Sequence, residues 1–401
     1  MENYHKHTYY SNMFSQDSSV SYEQYAKRAV ELGQHVLCSV EHGWQGKYHE
    51  CREVAIKYGL KFVFGTEAYW VKDRHEKDNS NCHIVLLAKN ENGRQCINEI
   101  LSTANEDGYY YRPRVDMELL LSLPPDDILV TTACLGFWVY MDSDDIVRQL
   151  HDHFGTNFYL EIQNHNTARQ KALNQHIKEL SDSLSIPMIV GLDSHYIYPE
   201  QSVERDELLQ GSKVKFNDSE SDWYMDYPDE DTVRQRFREQ GVLSEEDVEQ
   251  AMRNTEVLLS FEDYNSPVFT KDRKLPTLYP DKTQQEKNKL YSQLITKLYR
   301  EFIKTVPESE RQRYYEGVKM EVDTYKETGM VDYPLIDYAI VKRGIQKGGV
   351  VTNTGRGSAV GYFTNTLCGF SKVDRFKSPI KLYPERFISK TRIMETNSLP
   401  D

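Results

Sequence analysis

Short apolar runs that end on metal-binding side chains recur through the first half of this chain, and they narrow the possible folds more than any other feature. HVLCSV is followed by Glu41 and His42, KFVFG by Glu67, ILVTTA by Cys134, and PMIVG by Asp193 and His195. HIVLLA and FYLEIQ belong to the same series. Helical patterns lie between several of these runs. Tyr22, Tyr25, Ala26, Ala29 and Val30 recur at helical spacing with Gly33 as the stop, a second helix ends near Tyr58 before Gly59, and a third covers Thr167 to Leu184. Strands alternating with helices predict parallel pairing in an α/β barrel or open sheet. In such barrels the chemistry sits beyond the carboxyl ends of the strands. His83 departs from this rule because it precedes its run; it either arrives from an inserted loop or is not a ligand.

At the very start, His5 and His7 flank Lys6. One HxH pair is weak evidence, and any single histidine is more often structural. The conjunction of HxH, EHG, GTE and DSH in strand-end order is much harder to obtain by chance, and it predicts one polynuclear site. Imidazoles, carboxylates and one thiol suit Zn²⁺ or Mn²⁺. Two or three such ions can clamp a phosphate ester, one acidifying a water and another stabilising the leaving oxygen. Glu67 is the candidate for a carboxylate that bridges two ions.

At 401 residues the chain is long for one domain. No apolar run approaches the ~20 residues of a membrane span. The polar start MENYHKHTYY lacks the apolar core of a signal peptide, and the six cysteines contain no CxxC pair. A reducing, cytoplasmic setting without a disulfide framework is expected. The barrel signal fades after Tyr196. Residues 217–232 read as an exposed acidic loop, Glu245 to Leu259 as a helix, and Thr283 to Lys326 as long charged helices. The expected domains are 1–263, a proline-bearing linker over 264–282, and 283–401. A net charge of −13 argues at first against nucleic acid, but between Val341 and Ile393 eleven Lys and Arg face only Asp374 and Glu385. A basic module of this kind attracts phosphates.

HKHTYYSN, VEHG, FGTEAY, HIVLLAKNENG, TTACLG, YLEIQNH and GLDSHY resemble the PHP (polymerase and histidinol phosphatase) domain. HIVLLAKNENG followed by YYYRPRVD resembles the version found in bacterial replicative DNA polymerase III alpha subunits. Tyr325 to Val341, TGRGSAVG and YPERFISKTRI with its closing SLPD resemble the opening of that family's palm. The resemblance implies a distorted TIM-like (β/α)7 PHP barrel followed by a partial α+β palm. It implies a trinuclear site of His5, His7, Asp17, His42, Glu67, His83, Cys134, Asp193 and His195. The family usually has Asp where this chain has Glu41, a position expected to orient the imidazole of His42. The implied activity is metal-dependent 3′–5′ exonucleolytic proofreading.

In the second half, Gly355, Arg356, Gly357 and Ser358 can bring backbone N–H groups and a hydroxyl onto a phosphate, and a helix beginning near Ser358 would add its positive end. By resemblance Arg356, Gly357, Ser358 and Arg386 grip the incoming nucleotide, and Asp401 is the first of two aspartates that hold Mg²⁺. The second aspartate and the rest of the palm lie beyond the sequence, so this polypeptide is not expected to polymerise DNA alone. Its implied partners are primer-template DNA, dNTP, a C-terminal polymerase portion, and the sliding clamp with other replisome proteins. Two other readings are a self-sufficient PHP phosphoesterase or nuclease and a metal-stabilised scaffold.

Overall fold

The computed structural model describes residues 1–80, 82–211, 223–263, 275–355 and 357–396. The chain divides into two compact units, Met1–Thr270 and Lys271–Asp401. No helix among the described residues is long and apolar enough to cross a membrane.

The first unit is built on one mixed sheet. Its strands are β1 (Val36–Ser39), β2 (Lys61–Trp70), β3 (Cys82–Ala88), β4 (Arg114–Val115), β5 (Ile128–Thr131), β6 (Phe158–Ile162) and β7 (Met188–Val190). They pair in the order β1-β2-β3-β5-β6-β7, with β4 beside the end of β2. Helices Tyr22–Glu31, Tyr48–Tyr58, Glu91–Glu106, Ser143–Phe154 and Ala168–Leu184 alternate with the strands. Their ends follow local chemistry. Ser21 and Gln24 form a capping box, Thr167 caps its helix through Gln170 N, and Gly59 closes the second helix at φ +68°.

The pairing departs from the all-parallel expectation. β1-β2, β5-β6 and β6-β7 are parallel, but β3 runs antiparallel to both β2 and β5. The cause is the connection. Among the described residues no helix separates Trp70 from Cys82, and a direct return joins antiparallel strands whereas a parallel return needs a crossover.

Period-two alternation divides the apolar residues between the two faces of the sheet. Val36, Cys38, Val63, Val85, Leu87, Leu129 and Ile189 pack with Tyr4 and Leu258 in the concave interior. Leu37, Phe62, Phe64, Ile84, Leu86, Ile128, Val130, Leu160 and Val190 face the helices. Both faces are therefore dry. The N-terminal segment seams β7 to β1. His7 N donates to Ser194 O, Ser194 N donates to His5 O, and the Glu2 carboxylate accepts from the backbone of His35 and Val36.

The second unit packs helices Gln284–Phe302, Glu308–Glu327 and Asp332–Gln346 against an aromatic core of Tyr291, Tyr314, Tyr325, Tyr362, Phe363 and Phe387. Its described residues form helices and turns, so the strands expected of an α+β palm are not among them. The helical stretch expected over Thr283–Lys326 is broken by a short turn at Ile303–Thr305 ahead of Pro307. Residues 217–222 of the expected acidic loop and residues 264–274 of the expected linker fall outside the described residues.

Candidate metal centre

An extended segment throws alternate side chains to opposite sides, so His5 and His7 share one side while Lys6 takes the other. Lys6 is buried there with its Nζ donating to Asn3 O at 2.6 Å. The two imidazoles meet the inward-facing donors at one end of the half-barrel. Glu67 lies at the centre. Its Oε1 is 3.3 Å from His5 Nε2 and 2.9 Å from His83 Nδ1, and its Oε2 is 3.3 Å from His7 Nε2 and 2.5 Å from His42 Nδ1. Asp193 Oδ1 is 3.1 Å from His7 Nε2 and 3.5 Å from His5 Nε2. Asp17 approaches His195 Nε2 at 3.4 Å and His42 Nε2 at 3.9 Å. Cys134 Sγ is 3.5 Å from His83 Nδ1. Ala133 and Asp193, both at φ +48°, turn the chain at the ends of β5 and β7, the kind of backbone cost that recurs at functional sites.

His83 joins the centre because β3 is reversed. The beginning of an antiparallel strand reaches the same barrel end as the finish of its parallel neighbours, and His83 pairs with Tyr69 two positions past Glu67. Three groupings place one ligand atom from each member within 4.8 Å of one another: His7, His42 and His195; His5, His7 and Asp193; His42, Glu67 and His83. Asp17 and Cys134 stand beside these groups rather than within them.

The residues present fit cations. Nε2 of His5 and His7, Nδ1 of His42, both oxygens of Glu67, and Oδ1 of Asp17 and Asp193 are buried, and despite the short separations above none makes a well-aligned hydrogen bond among the described residues. Natural proteins rarely leave such atoms orphaned without a functional reason. The electrostatics agree. Burial alone would push His5 and His7 down, but Glu161, Glu67 and Asp193 raise His5 well above the usual imidazole range and His7 to about 10. Burial raises Glu67 and Asp193, yet the surrounding imidazoles hold both well below the usual carboxylate range. Burial takes His42 down to about 4, helped by the charge on His7. Burial and then the nearby carboxylates lift the Cys134 thiol well above its ordinary value, a bias that a coordinated cation reverses.

The supporting shell contains what residue reasoning did not assign. Glu161, on β6, accepts from His5 Nδ1 at 2.8 Å, Tyr4 Oη at 2.6 Å, Gln163 Nε2 at 2.8 Å and Thr131 Oγ1 at 3.1 Å. A carboxylate only accepts, so Nδ1 of His5 keeps its proton and Nε2 is the nitrogen that would give its proton up to a cation. His195 Nδ1 likewise donates to Asp193 O at 2.7 Å, which frees Nε2. Gly191 is required here, because a Cβ would fall 2.1 Å from Glu161 Cδ. Glu41 does not orient His42 through its ring as expected. It accepts from Thr8 Oγ1 at 2.7 Å and Ser11 Oγ at 2.5 Å, and Ser11 Oγ in turn lies 3.1 Å from His7 Nδ1 and accepts from His42 N at 3.2 Å. Glu41 thus steadies two ligands through one serine.

In the second unit, Gly357, Ser358, Lys381, Tyr383 and Arg386 line one cavity of about 370 Å³. Gly357 turns at φ +76°, a conformation that favours glycine. The element beginning at Ser358 is a four-residue 3₁₀ turn rather than an α-helix, so it supplies little axial dipole. Arg356 and Asp401 lie outside the described residues. The loop is tied down by Glu321, whose buried carboxylate accepts from Phe363 N at 2.9 Å, Thr364 N at 2.7 Å and Arg375 Nη2 at 2.8 Å.

Comparison with known proteins matches both units. The PHP domain profile covers residues 3–165, and that of the bacterial DNA polymerase III alpha NTPase domain covers 289–401. The DNA polymerase III alpha subunit of Aquifex aeolicus is 26% identical over 99% of this chain and 35% of its own length. Over almost its whole length this chain is similar to bacterial DNA polymerase III alpha subunits. The alpha subunit of Treponema pallidum is 30% identical over 51% of the chain and 18% of its own length, and that of Campylobacter jejuni is 24% identical over 99% and 35%. The chain therefore spans about a third of the alpha subunits that it matches along its length. Among solved structures, an amidohydrolase from Chromobacterium violaceum aligns at 12% identity and TM-score 0.36 over 48% of this chain and 87% of that one, too distant to carry an argument. The PHP match ends at His165, whereas Asp193 and His195 reach the centre through β7 and the N-terminal seam.

Proposed function

We propose that the chain is the N-terminal portion of a replicative DNA polymerase III alpha subunit whose PHP domain holds two or three Zn²⁺ or Mn²⁺ ions and removes nucleotides from DNA 3′ ends. One observation carries this reading: imidazoles and carboxylates from across the first unit converge, the inward atoms of His5, His7, His42, Glu67 and Asp193 are buried without a well-aligned hydrogen bond among the described residues, and the Cys134 thiol stands beside them. Bound cations would acidify a water and stabilise the leaving oxygen of a phosphodiester. Glu67 sits where one carboxylate reaches four imidazoles, so it would be the residue to hold two ions at once. Glu161 and Asp193 O fix the protons of His5 and His195 on the outward nitrogens. Glu41 and Ser11 hold His7 and His42. His83 and Cys134 are partly exposed while His5 and His7 are buried, so a substrate would approach the centre from the His83 and Cys134 side. A purely structural metal cluster is closed on all sides.

The Gly357–Arg386 cavity is the corresponding site for the triphosphate of an incoming dNTP. DNA synthesis, with Mg²⁺ held by Asp401 and a further aspartate, belongs to the assembly with a C-terminal polymerase portion, and the clamp and replisome contacts belong there too. The test is purified protein with Mn²⁺ or Zn²⁺ on a primer with a labelled 5′ end. Stepwise shortening from the 3′ end that is abolished in Glu67→Gln is expected. Bound metal without cleavage, both alone and with the C-terminal portion added, would overturn the nuclease and leave a scaffold.

A further inference from the structure

We infer that a groove beside the metal centre is a stacking platform for the unpaired 3′-terminal nucleotides of single-stranded DNA. The inference rests on the reading of the centre as a 3′-end phosphoesterase. The groove has a volume of about 310 Å³ and is lined by Tyr69, Ser80, Tyr110, Tyr111 and Arg112, near the lower bound of roughly 300 Å³ for ligand sites. It shares a wall with the centre. Tyr69 packs its ring 5.3 Å from that of His83 and 6.1 Å from that of His42, and it is the cross-strand partner of both His83 and Arg114. The Arg112 guanidinium lies over the Tyr69 ring at 4.6 Å.

Two features point outward to a ligand. Tyr111 is 73% exposed at the tip of a tight turn closed by Tyr110 N on Arg112 O, and Tyr109 beside it is 56% exposed. Tyr111 also holds φ +60°, a region that a bulky side chain enters only at a cost. Being exposed, it returns little packing for that cost, which is the pattern of a residue shaped for a contact. Aromatic faces interleaved with arginine are the means by which proteins hold single strands without reading sequence. Paired bases in a duplex offer no free face, so the platform selects a frayed or mismatched end.

The test uses the full chain and a short oligothymidylate carrying 5-iododeoxyuridine at its 3′ terminus behind an uncleavable phosphorothioate linkage. Irradiation and peptide mapping should place adducts on Tyr110 and Tyr111. Arg112→Ala should lower that yield at least about fivefold, the low end of a lost stacking or cation contact. Moving the label to an internal position should have the same effect. Adducts confined to other segments, or a yield indifferent to Arg112→Ala and to label position, overturn the platform. Metal content measured on the same samples separates the two readings: a metal-loaded protein without these adducts refutes the groove alone, and a protein that binds no metal refutes the centre.

Discussion

Glu161 decides which nitrogen of His5 carries the proton, and that is a property of one residue. Glu161→Gln keeps the shape but can present an amide N–H to His5 Nδ1. Metal affinity is expected to fall about 10–100-fold, the usual effect of removing such a support. Competition against a chromophoric chelator measures it, and unchanged affinity would show that His5 is not held this way. His42→Ala should lose metal and also lower Tm, because ligation and folding are coupled; full metal content in that variant would remove His42 from the ligand set. The pH dependence follows from His7. Burial pushes it down, but Asp193 and Glu67 raise it to about 10. A protonated imidazole cannot ligate, so cation binding must release that proton. Affinity therefore rises with pH up to about 10 and weakens on acidification. Titration calorimetry in buffers of different ionisation enthalpy reads the released protons, and a heat independent of buffer would contradict the assignment. Residue types alone pointed to this centre, since most donors sit directly after apolar runs. Glu161 was not legible in the same way. It lies within its strand, and only the inward register that it shares with Ile189 reveals its direction.

At the scale of elements, the reversal of β3 shows where periodicity stops informing. A run such as HIVLLA gives the same hydrophobic pattern in either direction, so His83 at its start read as an exception to the strand-end rule. The signal that could have settled it is the stretch from Val71 to Asn81, which lacks a helical pattern and therefore favours a direct antiparallel return. Two substitutions test how elements are locked. Gly191→Ala places a Cβ against the Glu161 carboxylate. It should cost about 1–3 kcal/mol by overpacking and displace His5, seen as a lower Tm together with lower metal affinity. Glu321→Ala strips a buried partner from Arg375 and from two backbone N–H groups. It should destabilise the second unit by about 3–5 kcal/mol, the range for breaking a buried pair, read as an earlier unfolding transition in urea. A shift below about 1 kcal/mol would mean that the anchor behaves as an ordinary solvated pair.

For the whole molecule, two compact units imply two unfolding transitions. Chelation should lower the transition of the first unit and leave the other in place, because the candidate ligands all lie between His5 and His195. Calorimetry with and without chelator checks this, and a common shift of both transitions would contradict it. The uneven charge and the proline-bearing stretch near 264–282 are the sequence features that predict a two-part organisation. The helical character of the described second unit was not, since motif resemblance there says nothing of secondary structure. The parallel bridge between Lys6 and Ser194 has a consequence in time. During synthesis His5 and His7 are made before the sheet edge that they join, which appears only with the seventh strand. Closure of the site thus joins segments far apart in sequence, and pairings of that kind are slow to form. A cation held there would be captured only once that strand has joined, and a nascent chain halted before it would leave both histidines unclaimed.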